Sequence, residues 1–147
     1  MIPVHWSRPP EGYAKINIDD SFEPNTNNGG TGGVIRNHLG EWITGFSSKV
    51  KVDSAHHAKL LALLHGLKPS QRKNIRQLLM ESQTIKHTSR EPNSGADILA
   101  THGRISKDHM DENQPNVFDA SPPFVTYALA RDATGTATYR SFPFCNE

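Results

Sequence analysis

The most conspicuous candidate for chemistry in this 147-residue chain is the run Gly29-Gly30-Thr31-Gly32-Gly33. Successive backbone N–H groups in such a run can wrap a phosphate. The run lacks a following Gly-Lys-Ser/Thr and fails the Gly-x-Gly-x-x-Gly spacing. It also leads into a strand pattern instead of a helix, so it is read as a flexible turn. Eight histidines are many for this length. His56 and His57 are adjacent within a helical pattern and point in different directions, and His65 lies two turns on, so no pair at four-residue spacing forms to grip a metal. The single cysteine, Cys145, excludes an internal disulfide and a cysteine-based zinc site, and its place near the C-terminus does not suggest a nucleophile. Asp108, Asp111 and Glu112 read as a solvated loop, and Met80 among its leucines reads as core.

The whole composition narrows the function classes further. Lys and Arg number 16 against 15 Asp and Glu, for a formal charge of +1. This balance excludes the strong basic field of a general nucleic-acid or anionic-membrane binder. Apolar residues make up 35% of the chain, enough for one lean core in one domain. No apolar run reaches membrane-spanning length, and the residues from Met1 to Trp6 lack the charged and apolar regions of a secretory signal. The expectation is a soluble protein of a reducing compartment, cytoplasmic and/or nuclear, with no membrane partner.

The elements that must position any site follow from periodicity. Ala14, Ile16 and Ile18 alternate with polar neighbours from Tyr13 to Asp19, which predicts a strand with one buried face. After a polar loop from Asn25 to Gly30, a second strand runs over residues 31–36. It turns at Asn37-His38-Leu39-Gly40 into a third over residues 41–47, completing an antiparallel meander. Helical spacing of Ala55, Ala58, Leu60, Leu61, Ala62, Leu64 and Leu67 predicts a helix capped by Asp53 or Ser54 and stopped by Pro69. Residues 75–83 read as a fourth strand, although their length also suits a short helix, and Asn93 to Gly103 as a second helix closed by its glycine. The segment 106–123 is unpatterned and reads as a loop or tail, and 124–129 is a short apolar run of undetermined type.

Several longer strings resemble a known family. They are Trp6-x-x-Pro9-Pro10-x-Gly12-x-x-Lys15-x-Asn17-x-Asp19-x-Ser21-Phe22, then Gly32-Gly33-Val34-Ile35-Arg36 and Gly40-Glu41-Trp42-Ile43. Ala58 to Leu67, Glu81-Ser82-Gln83, His87-Thr88-Ser89-Arg90-Glu91-x-Asn93-x-x-Ala96-Asp97-x-Leu99-Ala100 and Pro122-Pro123-Phe124 continue the pattern. Together they resemble the plant ribonuclease-H-like domain of retroelement-derived proteins. The resemblance implies an α/β fold, here a truncated ribonuclease-H-like mixed sheet: a three-stranded antiparallel meander plus a parallel fourth strand, with flanking helices. The domain would span residues 1–104, followed by a partly irregular C-terminal extension over 105–147.

The resemblance also implies a site of four carboxylates that hold two magnesium ions, and the ions activate water against an RNA phosphodiester. Asp19 matches the first position and Asp97 the last, but Lys59 stands at the helix glutamate and Gln83 at the fourth-strand aspartate. An ammonium about 4 Å from a divalent ion costs about 8 kcal/mol at an effective dielectric near 20, twice the unit-charge figure. Paired divalent ions also need anionic oxygens to offset their mutual repulsion. Asp20, at the family's glycine position, neighbours Asp19 on the strand and should face the opposite way. The expectation is a degenerate site with no catalytic residue, no bound Mg2+ and no other cofactor.

Between Gln83 and His87 only Thr84, Ile85 and Lys86 remain, where the resemblance implies a helical crossover to a fifth strand. Parallel neighbours need a connection of roughly a dozen or more residues. The fifth strand must therefore be lost, follow another path, or pair with a second chain by domain swapping, and in the first two cases Asp97 need not face Asp19. Removal of a covering helix should expose Leu78, Leu79 and Ile85 as a partner surface. The functional expectation is an inactive domain that binds another protein, with a swapped homodimer as one form. The alternative is weak RNA or hybrid binding through Lys15, Arg36, Lys59, Arg72, Lys73 and Arg76, and a weak metal-dependent nuclease is the third reading.

Overall fold

The structure, a computed structural model, describes residues 6–82, 93–106 and 115–134. Strands β1 (Ala14–Glu23), β2 (Asn28–Arg36) and β3 (Trp42–Lys51) form the antiparallel meander. Helix α1 (Ala55–Arg72) leads to β4 (Leu78–Ser82), which pairs parallel to β1. Helix α2 (Ser94–Ile105), strand β5 (Asn116–Phe118) and helix α3 (Pro123–Thr134) complete the described elements. The sheet order is β4-β1-β2-β3-β5, so this is the mixed α/β architecture expected of a ribonuclease-H-like fold.

The two faces of the sheet are covered differently. Ile16, Ile18, Ile35 and Phe46 pack with Ala14 and Ala62 under α1. Ser54 caps that helix, its Oγ accepting from the His57 N–H at 3.1 Å. Val34, Leu99 and Val125 pack on the opposite face under α2 and α3. Toward the start of β1, that second face is covered by Trp6. Its indole N–H donates to Asn17 Oδ1 at 2.9 Å, and its ring lies 4.0 Å beneath the Arg36 guanidinium. A buried cation over an indole face gains both electrostatic and dispersion contacts.

Several sequence expectations need correction. The glycine run is no turn: all of Gly29 to Gly33 lies inside β2. A side-chain carbon at Gly30 would strike the Ala100 carbonyl oxygen, and one at Gly32 would strike the Ala100 amide nitrogen, so α2 rests its backbone directly on the strand. The loop before it shrinks to the turn between Glu23 and Asn28, with Asn27 at φ 58°. Pro69 does not stop α1, which continues to Arg72. One intrahelical bond is forfeited there. Gly103 likewise lies within α2, against the Ser48 backbone, instead of ending it.

The stretch read as an unpatterned loop supplies β5, antiparallel to β3 at Gly45–Ser47. Three residues are too few to show an alternation. Trp42 Nε1 donates to the Phe118 carbonyl at 3.1 Å and fixes the strand there. The undetermined apolar run is helix α3, whose Val125 is fully buried. The residues assigned to a C-terminal extension thus add to the sheet and to the layer over it.

Gly32→Ala should cost about 3 kcal/mol by forcing α2 off the strand, read as a lowered urea midpoint with an unchanged slope.

Candidate carboxylate site

Strand alternation places Asp19 on the sheet face beneath α2 and Asp20 on the face beneath α1. The start of α2 is held against β1 by Asn93, whose Nδ2 donates to the Ile18 carbonyl at 2.8 Å. The Asn93 carbonyl in turn accepts from the Asp97 N–H at 3.0 Å, so Asp97 sits in the first turn of the helix. Further along, Ser47 Oγ donates to the Leu99 carbonyl at 2.7 Å and Lys49 Nζ to the Arg104 carbonyl at 2.7 Å. Arg104 Nε donates to Ser21 Oγ at 2.6 Å. A helix fixed at both ends leaves Asp97 little freedom, and it meets Asp19.

Asp97 thus meets Asp19, a placement that the sequence, with its short connection after β4, leaves open. The packing of α2 on Gly30 and Gly32 returns it to Asp19 within one chain.

Burial pushes the Asp19 carboxyl well above the usual aspartate range, and the Asp97 charge adds to the effect. The Asp20 N–H, donating to Asp19 Oδ1 at 2.8 Å, offsets part of it. Burial raises Asp97 as well, while its hydrogen bond with Asp19 acts in the opposite sense. The hydrogen bond between the two carboxyls raises Asp19 and lowers Asp97, and two like charges in a poorly solvated corner do not both ionise readily. Asn93 Oδ1 in the same corner is buried, with no hydrogen-bond partner among the described residues. Among the described residues no group of three or more His, Cys, Asp or Glu side chains converges as a metal centre requires.

On the other face, Lys59 of α1 lies 3.5 Å from Asp20 Oδ1, and the Asp20 side chain is only 8% exposed. Burial raises the Asp20 pKa and the Lys59 ammonium lowers it. Lys59 is thus committed to an aspartate and does not stand as a free cation at the site. Gln83 lies outside the described residues.

The other candidates scatter. Lys15 and Arg36 are 6% and 3% exposed, inside the Trp6 clamp, where Lys15 Nζ also donates to the Ser7 carbonyl at 3.1 Å. Their burial removes them from any surface contact with nucleic acid. Arg72 and Arg76 are exposed, and Lys73 pairs with Asp119 at 3.1 Å. Leu78 is half-buried against the core, whereas Leu79 is 39% exposed and its neighbour Met80 37%. Ile85 lies outside the described residues. Sequence reasoning missed Asn93 and the Asp20–Lys59 pair. A helix-capping asparagine four residues before an acid was the available signal for the first.

A raised carboxyl pKa stabilises the fold fully below the ordinary value of 3.8, and that contribution is lost as pH rises through the raised value. Asp19→Asn keeps the acceptor for the Asp20 N–H and supplies a permanent donor to Asp97. Urea unfolding should therefore show the variant more stable than wild type at pH 7, with the difference shrinking as the pH is lowered toward 4.

Residues 17–86 match the family model described as reverse transcriptase-like. A 78-residue stretch is 31% identical to an Arabidopsis thaliana protein provisionally named a ribonuclease H protein. That stretch is 53% of this chain and 13% of the relative, so the chain corresponds to a small part of the relative's length. Together with the parallel fourth strand beside an antiparallel meander, these likenesses support a plant ribonuclease-H-like domain whose reverse transcriptase-like match spans residues 17–86.

Proposed function

We propose that this domain has lost RNA hydrolysis and serves as a protein-interaction module. The commitment of Lys59 to Asp20, at the helix position where the family places a glutamate, carries the first half of the reading. Asp19 and Asp97 offer two negative charges at most against the four positive charges of a pair of divalent ions. Such a pair needs bridging anionic ligands to hold the ions about 4 Å apart. Gln83 adds a neutral amide at the remaining family position. A two-ion magnesium centre does not fit this donor set.

The interaction half rests on β4. Among the described residues it is an edge strand, and Leu79 and Met80 project on opposite faces with 39% and 37% of their surface exposed. An edge that presents apolar side chains together with unpaired backbone groups suits strand addition by a partner. Nucleic-acid binding without cleavage is the second reading, favoured by exposed Arg72 and Arg76. Two cations in a chain of net charge +1 would give weak, steeply salt-dependent contacts.

Incubation with an RNA–DNA hybrid and Mg2+ or Mn2+ should give no cleavage above that of the Asp19→Asn variant; metal-dependent cleavage abolished by that substitution would overturn the loss of hydrolysis. For the interaction, the tagged chain is used to co-purify material from its source tissue with and without nuclease. Stoichiometric protein that survives nuclease and is lost with Leu79→Lys is expected, and complete loss after nuclease would favour the nucleic-acid reading instead.

A further inference from the structure

The end of the sheet remote from Asp19 holds a concavity of about 540 Å³, within the range of small-ligand sites. It is an open depression bordered by the start of β1, the turn between β2 and β3, and the loop from α1 to β4. Tyr13 lines it beside Ala14, Ile43 and Ile75, and the remaining lining includes His38, Asn74, Arg76 and Gln77. No carboxylate is among the lining residues.

Two observations distinguish this hollow from an ordinary surface dip. Its walls are fixed by their backbones: Ala14 N–H donates to the Gln77 carbonyl at 2.9 Å, Tyr13 N–H to Pro10 at 3.0 Å, and Ile75 N–H to Ser70 at 3.0 Å. Yet among the described residues the side chains of Tyr13, His38, Asn74, Arg76 and Gln77 make no hydrogen bond or ion pair. Asn37 beside them is fully engaged, accepting from the Leu39 and Glu41 N–H groups and donating to Glu41 Oε1. An apolar floor, a phenol ring, two free amides and a cationic rim therefore converge on one rigid space.

We propose that this concavity binds a nucleotide. A flat base would lie on Tyr13 and the floor of Ala14, Ile43 and Ile75. The amides of Asn74 and Gln77 offer donors and acceptors to its polar edge. Arg76 offers a planar fork to the phosphate, with His38 as a further donor. A nucleotide uses all three kinds of group, whereas a bare anion leaves the floor unused and an uncharged aromatic leaves Arg76 unused. The site involves neither β4's exposed side chains nor the carboxylate pair, so it stands or falls independently of the loss of hydrolysis and of the protein-interaction reading, and shares only Arg76 with the nucleic-acid reading.

The test uses the full 147-residue chain, isotope-labelled, with AMP as probe. Amide shifts at millimolar AMP should centre on residues 12–14, 37–43 and 74–77. Arg76→Ala, at an exposed side chain unpaired among the described residues, should weaken AMP at least tenfold while changing adenosine little. Tyr13→Ala should weaken both at least tenfold. A 5′-phosphorylated tetranucleotide RNA separates the two sources: tighter binding than AMP assigns the site to an RNA end, equal binding to a free nucleotide, and either supports nucleotide recognition. Absence of shifts at these residues overturns the proposal. So does an AMP affinity unchanged by Arg76→Ala, or inorganic phosphate reproducing the AMP shifts while adenosine gives none.

Discussion

Everything on the second face of this sheet depends on how closely a helix can approach a strand. Gly30 and Gly32 bring no side chain to the contact, and the backbone of α2 settles where side chains would otherwise stand. Helices usually pack on sheets through interposed side chains, which give and slide. A backbone resting on a backbone does neither, since the steric wall is steep and the neighbouring groups are hydrogen-bonded in place. The hydroxyl of Ser47 and the ammonium of Lys49 then fasten the helix by its own carbonyls. This seating makes the position of Asp97 a property of the sheet, independent of the length of chain that precedes the helix.

The electrostatics follow from the same seating. Bringing Asp97 to a partly buried Asp19 concentrates negative charge where water is scarce, and both carboxyl pKa values rise in response. Across the sheet, Asp20 meets the same difficulty and relieves it with Lys59. Two adjacent aspartates on one strand thus find different partners on opposite faces. The ion pair is partly solvated, with Lys59 at 38% exposure, and pairs of that kind contribute little net stability. Its significance lies in where it directs charge.

Much of the fold was legible because it is written in strong periodicities. The alternation of Ala14, Ile16 and Ile18 and the helical spacing from Ala55 to Leu67 each have one physical reading. The glycine run did not, because glycine serves both a flexible turn and a crowded interface, and only the partner tells which. Strand β5 was invisible for another reason: three residues carry no period, and what fixes them is a tryptophan 76 positions away. The site was half legible. Residue types pointed to Asp19 and Asp97, which the structure brings together, but they could not show that Lys15 and Arg36, ordinary surface residues by type, lie against an indole.

That indole has a consequence for what counts as the unit of structure. Trp6 lies upstream of residues 17–86, the segment by which the family is recognised, and α2 lies downstream of it. Between them they cover the second face, one end each. A fragment cut at the recognised boundaries would leave Arg36 and Asn17 bare at one end and the glycines of β2 bare at the other. The stretch most easily matched by comparison is therefore smaller than the stretch that buries its own core, and inheritance of the fold requires both flanks to travel with it.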